Sequence, residues 1–460
     1  MVPTPSHPTD QPATRGTERR GVLDRALGLF TEVRGGEGVT ALLLMLNIFL
    51  LLASYYLLKT IREPLILTQP GGAEVKSYAA AAIAGVLIVL VPIYSAIASR
   101  VSRVKLINGV TLFFIACLVA FFLADKAGYA VGTAFFIWVG IFNLTVIAQL
   151  WAFANDVYTV EQGKRLFAIV GFGASIGAIA GAFVTGQLVK QFGPYPFLLA
   201  AAVLLALCMV LTNWINARER RVKPDTPGDV AAASGAPAAA PDEAAAGRGR
   251  SGFALIFSSR YLLLIAGLMV LSNLVNTTGE YILGKTVLGA MGGHTSGVDE
   301  GKIIGAFYGN YFTVVNIVSA LIQAFVVSRV LQYFGVRVGL LVLPFVALFG
   351  YASMAFAPVL AFIRTAKIAE NSIDYSLQNT TRNALYLPTS REDKYKAKQA
   401  NDTFFVRLGD VLSGGFVLVG TTWLAFGPRQ FALLCLVLIL IWLVIALALG
   451  RQFQKLAGTS

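Results

Sequence analysis

Leu42–Leu67 reads LLLMLNIFLLLASYYLLKTIREPLIL: about a dozen almost wholly apolar residues running straight into Lys59, Arg62 and Glu63. A stretch this long and this apolar has the length of a helix that crosses a bilayer. Runs of about 18 to 25 apolar residues recur along the whole chain. The 460-residue sequence is 56% hydrophobic and only 13% charged, too little polar surface for a soluble protein of this size. The expected fold is therefore an all-α integral membrane protein whose partner is the lipid bilayer. Helices are expected near residues 38–66, 77–98, 104–124, 128–157, 164–190 and 195–216, then near 258–286, 302–328, 336–357, 358–387, 398–426 and 430–451.

Between the two sets lies a segment rich in Ala, Pro and Gly and flanked by arginines, which reads as a flexible linker over 217–257. Residues 1–37 read as a disordered tail with no cleavable leader, and 453–460 as a second tail. The domain expectation is thus two six-helix bundles, 38–216 and 258–452. Basic residues fix the orientation. Arg100, Arg103, Lys105, Lys164, Arg165, Arg218, Arg220, Arg221, Lys223, Arg329, Arg337, Arg391, Lys394, Lys396, Lys398, Arg451 and Lys455 all fall on one side of a twelve-helix chain. Lys76, Lys126, Lys190 and Arg429 are the sparse positives of the other side. Positive charge collects on the cytoplasmic side, so both termini are expected there. The net charge of +13 then belongs to basic loops, and no nucleic-acid partner is implied.

The halves echo each other. Tyr55-Tyr-Leu-Leu-Lys59-Thr60 matches Tyr281-Ile-Leu-Gly-Lys285-Thr286, Ser99-Arg100-Val101 matches Ser328-Arg329-Val330, and Asn155-Asp-Val-Tyr158 matches Asn383-Ala-Leu-Tyr386. The three pairs keep their order at nearly one offset, about 228 residues. Six plus six helices as parallel repeats around a long central loop is the major facilitator architecture.

Polar residues gather on the first helix of each three-helix unit. Helix 1 carries Lys59, Arg62 and Glu63; helix 4 carries Asn143, Gln149, Asn155 and Asp156; helix 7 carries Asn273, Asn276, Thr277, Thr278, Glu280 and Lys285. Helix 10 carries Arg364, Lys367, Glu370, Asn371, Asp374, Gln378 and Arg382. At about 100° per residue these fall within an arc of roughly 120°. Each charge facing lipid at mid-membrane would cost about 2.5 to 3.5 kcal/mol, so the stripe must face protein or water. Two readings remain: a ligand pathway, or an ion-pair network of Lys367 with Glu370 or Asp374 that locks helices together. Lys59 either enters a ligand site or snorkels to the outer interface. Arg62 and Glu63 pair with each other or with a neighbour. Arg407 and Asp410, one turn apart on helix 11, suggest an interior pair. Trp151 and Phe153 read as packing residues ahead of a stacking platform.

Other chemistries find no residues to carry them. The three cysteines, Cys117, Cys208 and Cys435, sit in apolar runs, and the two histidines, His7 and His294, in polar segments. No nucleophile–base set, metal cluster or phosphate loop is present, so neither an enzyme nor a cofactor is expected. The glycines of GFGASIGAIAG lack the strand and the Gly-Lys-Ser/Thr of a nucleotide loop. Gly173, Gly177 and Gly181, spaced by four, form a small-residue seam for close helix packing, loosely repeated by Gly409, Ser413, Gly414 and Gly420.

A cavity walled by Lys59, Lys285, Arg364, Lys367, Arg382 and Arg407 would favour anions. Arginine's planar fork suits phosphate or carboxylate, and lysine adds a compact charge. Glu280, Glu370, Asp374 and Asp156 would hold these bases or carry protons. The segment FNLTVIAQLWAFANDVYTVEQGKRLFAIVGFGASIGAIAGA, Phe142 to Ala182, resembles the ATP/ADP translocase (nucleotide transporter) family of plastids and intracellular bacteria, as do YYLLKTIREPLIL and the stretch from Arg382 to Gly415. The likeness covers most of the membrane region. It implies a major facilitator fold and exchange of nucleotides such as ATP and ADP, with Lys59 on phosphate and Glu280 and the helix-10 charges in the site. The expected protein is a monomeric antiporter of the bacterial inner membrane. The alternatives are a proton-coupled carrier of an organic phosphate, drug or lipid, and a membrane scaffold or sensor without transport.

Overall fold

The computed structural model describes residues 37–222, 251–291, 297–390 and 392–458. The expected tail, most of the expected linker, His7, Lys223, His294 and Arg391 lie outside the described residues. The first half comprises α1 (Glu37–Leu67), α2 (Gly72–Ala98), α3 (Arg103–Lys126), α4 (Gly132–Val157), α5 (Val160–Phe192) and α6 (Pro196–Val222). The second comprises α7 (Arg260–Met291), α8 (Gly297–Phe325), α9 (Gly335–Phe356), α10, α11 (Asp393–Thr422) and α12 (Pro428–Ala457). α10 runs from Leu360–Ile373 through a π turn, Asp374–Gln378, into Asn379–Ala384. Short helices at Gly252–Ser258 and Val327–Tyr333 precede α7 and join α8 to α9.

Among the described residues, eleven helices are long and apolar enough to cross a membrane. α10 is the twelfth membrane-length run, and its charges set it apart from them. The greasy helices keep large apolar side chains on the outside: Phe113 of α3, Val210 of α6, Phe349 of α9 and Val444 of α12 are exposed. In a bilayer these side chains meet acyl chains, while the polar helices turn inward. The chain is a multi-pass membrane protein.

The glycine seam packs α5 against α1. A methyl group added at Gly173, Gly177 or Gly181 would strike the backbone of Met45, Phe49 or Ala53. Bare backbones meet here because lipid provides no hydrophobic drive between helices and close dispersion contact must supply the adhesion. The second half repeats the device more loosely, with Gly409 of α11 against Val270 and Asn273 of α7.

Across the halves, α5 meets α8 where Gly186 lies on Gly309, and α2 meets α11 where Gly414 lies near Ser77 and Ala81. The α1–α2 and α7–α8 ends are drawn together: a methyl at Gly284 would touch Leu67 and Ala73, and one at Gly305 would touch Pro64. The α1–α2 turn is only four residues, with Gly71 at φ +65°, a left-handed conformation natural to glycine. α2 consequently starts five residues earlier than the apolar pattern suggested, and Lys76 becomes its second turn. At the opposite end Asn155 of α4 and Asn379 and Asn383 of α10 are exposed.

Candidate functional site

A cavity of about 220 Å³ lies between the halves. Its basic lining residues are Lys59, Arg62, Lys76 and Arg407; Glu280 and Asp410 are its acidic ones. Tyr55, Phe136, Phe312 and Tyr375 add aromatic walls, and Asn143, Asn276, Thr277 and Asn371 add neutral hydrogen-bonding groups. Helices 1, 2, 4, 7, 8, 10 and 11 of the fold each contribute.

Lys59 is 7% exposed. Its ammonium donates to the Tyr375 hydroxyl at 3.1 Å. It lies 4.6 Å from the Phe312 ring centre, 5.0 Å from Tyr56 and 5.2 Å from Tyr375. No carboxylate stands within 4.0 Å of it among the described residues. Rings and a phenol lower the cost of this buried charge, but cation–π contacts are worth only about 0.5 to 2 kcal/mol each. The other bases are paired. Arg62 contacts Glu63 at 3.0 Å and packs over Phe136. Lys76 lies 2.6 Å from Glu63 and 3.7 Å from Glu280 of the other half. Arg407 holds Asp410 at 2.8 Å, and Asn273 and Thr277 also donate to that carboxylate.

Lys367 stands just behind the wall, fully buried. It donates to Glu370 at 2.9 Å and to the Asn276 side chain at 2.7 Å, and lies 3.6 Å from Glu280. Gly279 leaves the space bare, since a methyl there would strike the Tyr351 hydroxyl and sit 3.0 Å from the Lys367 ammonium. Asn371 donates to Glu280 at 3.1 Å and to the Tyr311 hydroxyl at 2.7 Å. Counting this cluster as a unit, Lys59, Arg62, Lys76, Lys367 and Arg407 face Glu63, Glu280, Glu370 and Asp410. Five bases meet four acids, and the unmatched one is Lys59.

The sequence-derived candidates therefore divide by place. Lys59, Arg62, Glu280, Asn371, Arg407 and Asp410 line the cavity, with Lys367 and Glu370 supporting it. Glu370, Asp374 and Arg382 border a separate void of about 20 Å³, with Arg382 3.4 Å from Asp374. Gln378 is fully buried, and neither of its amide atoms has a hydrogen-bond partner among the described residues. Arg364 faces Asn310 at 3.2 Å and the Phe307 ring, off the cavity. Lys285 pairs with Glu74 at 2.6 Å at the closed end, where Tyr281 also donates to Glu74. Asn155 is exposed, and Asp156 pairs with Arg103 at 2.6 Å at the opposite end of the bundle. Trp151 packs edge-on against Phe167.

Lys76, Phe312 and Tyr375 are among the lining residues that the sequence pattern left out of the candidate set. Lys76 read as a loop cation because the helix start was placed after it. The two aromatics carry no mark that separates a pocket ring from a packing ring.

A family model described as Major Facilitator Superfamily matches residues 43–366. ADP,ATP carrier protein 1 of Chlamydia pneumoniae is 25% identical over 358 residues, covering 70% of this chain and 67% of its own length. ADP,ATP carrier protein 1 of Chlamydia trachomatis is 24% identical over 351 residues, covering 66% of this chain and 62% of its own length. The chain thus spans about two thirds of the length of these curated relatives. In fold it is similar to the nucleoside transporter NupG, with TM-score 0.59 at 14% identity over 91% of this chain and 98% of that one. A POT family transporter solved in complex with 5-aminolevulinic acid gives TM-score 0.60 at 14% identity over 90% and 96%.

Proposed function

Because the chain belongs to the Major Facilitator Superfamily, we propose that it is a secondary-active carrier exchanging nucleotides of the ATP/ADP type by alternating access. The observation that carries this reading is Lys59, a buried ammonium facing the cavity with no carboxylate within ion-pair distance among the described residues. At an effective dielectric near 20, an opposite charge at 4 Å is worth about 4 kcal/mol, more than a ring contact. An anion entering the cavity therefore supplies what the protein withholds. Arg62, exposed on its cavity side, offers a fork to a second phosphate oxygen. The names of the Chlamydia relatives, ADP,ATP carrier proteins, support a nucleotide as that anion.

The cavity of about 220 Å³ is smaller than the roughly 300 to 1,000 Å³ of sites that engulf a whole drug-sized ligand. It suits the phosphate tail, with the base directed toward the open end. In this reading the protein is a monomer of the bacterial inner membrane with both termini cytoplasmic. Residues 38–216 and 258–452 then rock about the cavity, and the 217–257 segment serves as their cytoplasmic connection. It performs no covalent chemistry and needs no cofactor.

The test is exchange of labelled ATP and ADP in proteoliposomes. The parent is expected to take up label only against internal nucleotide, and Lys59→Ala to fall at least about tenfold. Equal rates for parent and Lys59→Ala would remove the site. A second reading, proton-coupled uptake, is favoured by Glu370 and Asp374 bordering a water-sized void. It predicts uptake driven by a pH gradient into vesicles empty of nucleotide. A scaffold without transport predicts no thermal shift with any nucleotide, sugar phosphate or carboxylate.

A further inference from the structure

Six side chains, four of them buried and Arg62 and Glu280 partly exposed, form one chain of alternating charge through the wall of the cavity. Arg62 contacts Glu63 at 3.0 Å, Glu63 contacts Lys76 at 2.6 Å, and Lys76 lies 3.7 Å from Glu280. Glu280 lies 3.6 Å from Lys367, and Lys367 contacts Glu370 at 2.9 Å. Each central carboxylate serves both neighbours, one oxygen to each side: Glu63 gives Oε1 to Arg62 and Oε2 to Lys76, while Glu280 gives Oε2 to Lys76 and Oε1 to Lys367. The chain crosses between the halves at a single link, Lys76 to Glu280, and that link is the longest of the five. Lys76 is 6% exposed, and its ammonium also lies 5.3 Å from the centre of the Tyr308 ring.

We propose that Lys76 is the latch between the halves and that the substrate anion releases it through Arg62. In the empty carrier Lys76 is shared between Glu63 of its own half and Glu280 of the other. Separating the halves at this end breaks that link of the chain, along with the separate contacts of Lys285 and Tyr281 with Glu74. It leaves Arg62, Glu63 and Lys76 with one surplus positive charge and Glu280, Lys367 and Glu370 with one surplus negative charge. Both surpluses fall on largely buried groups, which opposes the movement. Arg62 is the end of the chain that reaches the cavity, with its side chain 17% exposed. An anion bound there draws the guanidinium from Glu63. Glu63 then holds Lys76 alone, its pull toward Glu280 weakens, and the anion cancels the surplus positive charge. Lys76 acts through Arg62 and Glu63 and is a positioning residue. The inference rests on the exchange reading and explains why exchange would be obligatory: an unloaded carrier stays latched.

The experiment compares the parent with Lys76→Gln and Lys76→Arg in two assays. In proteoliposomes, labelled ADP is loaded and its exit is followed into medium with and without external ATP. The parent is expected to release label only against ATP. Lys76→Gln should raise the ratio of unexchanged to exchanged efflux by about tenfold or more, and Lys76→Arg should restore the parent's ratio. In the second assay Ala73→Cys, buried at the closed end, is introduced after Cys117, Cys208 and Cys435 are replaced. Its maleimide labelling without substrate should be slow in the parent, faster in Lys76→Gln and slow again in Lys76→Arg. If the parent exchanges nucleotide while Lys76→Gln matches it in ratio and in labelling, the latch is overturned. If the parent exchanges none, the exchange reading fails, and the labelling of unloaded protein still decides the latch.

Discussion

Lys367 shows how much one side chain can be asked to hold. It is fully buried and serves Glu370, Glu280 and Asn276 together. Removing one member of a buried ion pair strands its partners, so Lys367→Met should destabilise the protein by about 3 to 5 kcal/mol. Lys367→Met/Glu370→Gln should recover part of that loss, because Glu280 keeps Lys76 while the second stranded acid is gone. Thermal unfolding in detergent reads both variants, and equal melting temperatures for single and double would deny the coupling. Asp410 carries a smaller version of the argument. It accepts from Arg407, Asn273 and Thr277, so Asp410→Ala should lower the melting temperature more than Asp410→Asn, which keeps an acceptor oxygen. At this scale the sequence was partly legible. Charges that lipid rejects must turn inward, so Lys59, Lys367 and Glu280 could be found from hydropathy alone. Whether an inward charge meets the cavity or another protein charge depends on neighbours distant in sequence. Arg364 and Lys285 thus share the composition of cavity residues but lie against Asn310 and Glu74. Lys76 was lost to a helix boundary drawn one turn too late.

The helices reveal a sharper contrast between what a pattern can carry and what it cannot. The spacing of Gly173, Gly177 and Gly181 announced a seam, and the backbone of α1 fills it. Gly177→Ala should therefore cost about 1 to 3 kcal/mol by overpacking against Phe49. Gly171, six residues earlier, has nothing within 4 Å of an added methyl. Gly171→Ala should be neutral or stabilising by up to about 1 kcal/mol, from lower backbone entropy in the unfolded chain. Parallel melting curves test the pair, and similar losses at both positions would contradict the seam. The π turns left no such trace. An i→i+5 turn has no composition of its own, and it breaks the 100° step on which the helix-10 arc was drawn. Lys367 and Asn371, before the turn at Asp374–Gln378, address α7 and α8. Asp374 and Arg382 border a different void instead.

Taken whole, the molecule is gathered at the α1–α2 and α7–α8 end and parted at the other. Ala73 is fully buried, whereas Asn155 and Asn383 are exposed. In detergent-purified protein a cysteine at 155 or 383 should react readily with a maleimide, and one at 73 should not. Fast labelling at 73 in unloaded parent protein would mean that the other end is the closed one. The polar course of α10 bears on how such a molecule is made. Its first three turns hold Arg364, Lys367 and Glu370, each of which an isolated segment would insert at a penalty of about 2.5 to 3.5 kcal/mol near mid-bilayer. The translocon should therefore decline to release α10 sideways into lipid on its own merits. It should retain the segment until α7 and α8 offer Glu280, Asn276 and Tyr311, so biogenesis of this half is an assembly step as well as a sequence of insertions. A reporter carrying α10 alone between two glycosylation acceptor sites should be translocated whole, and the same reporter preceded by α7 to α9 should be anchored.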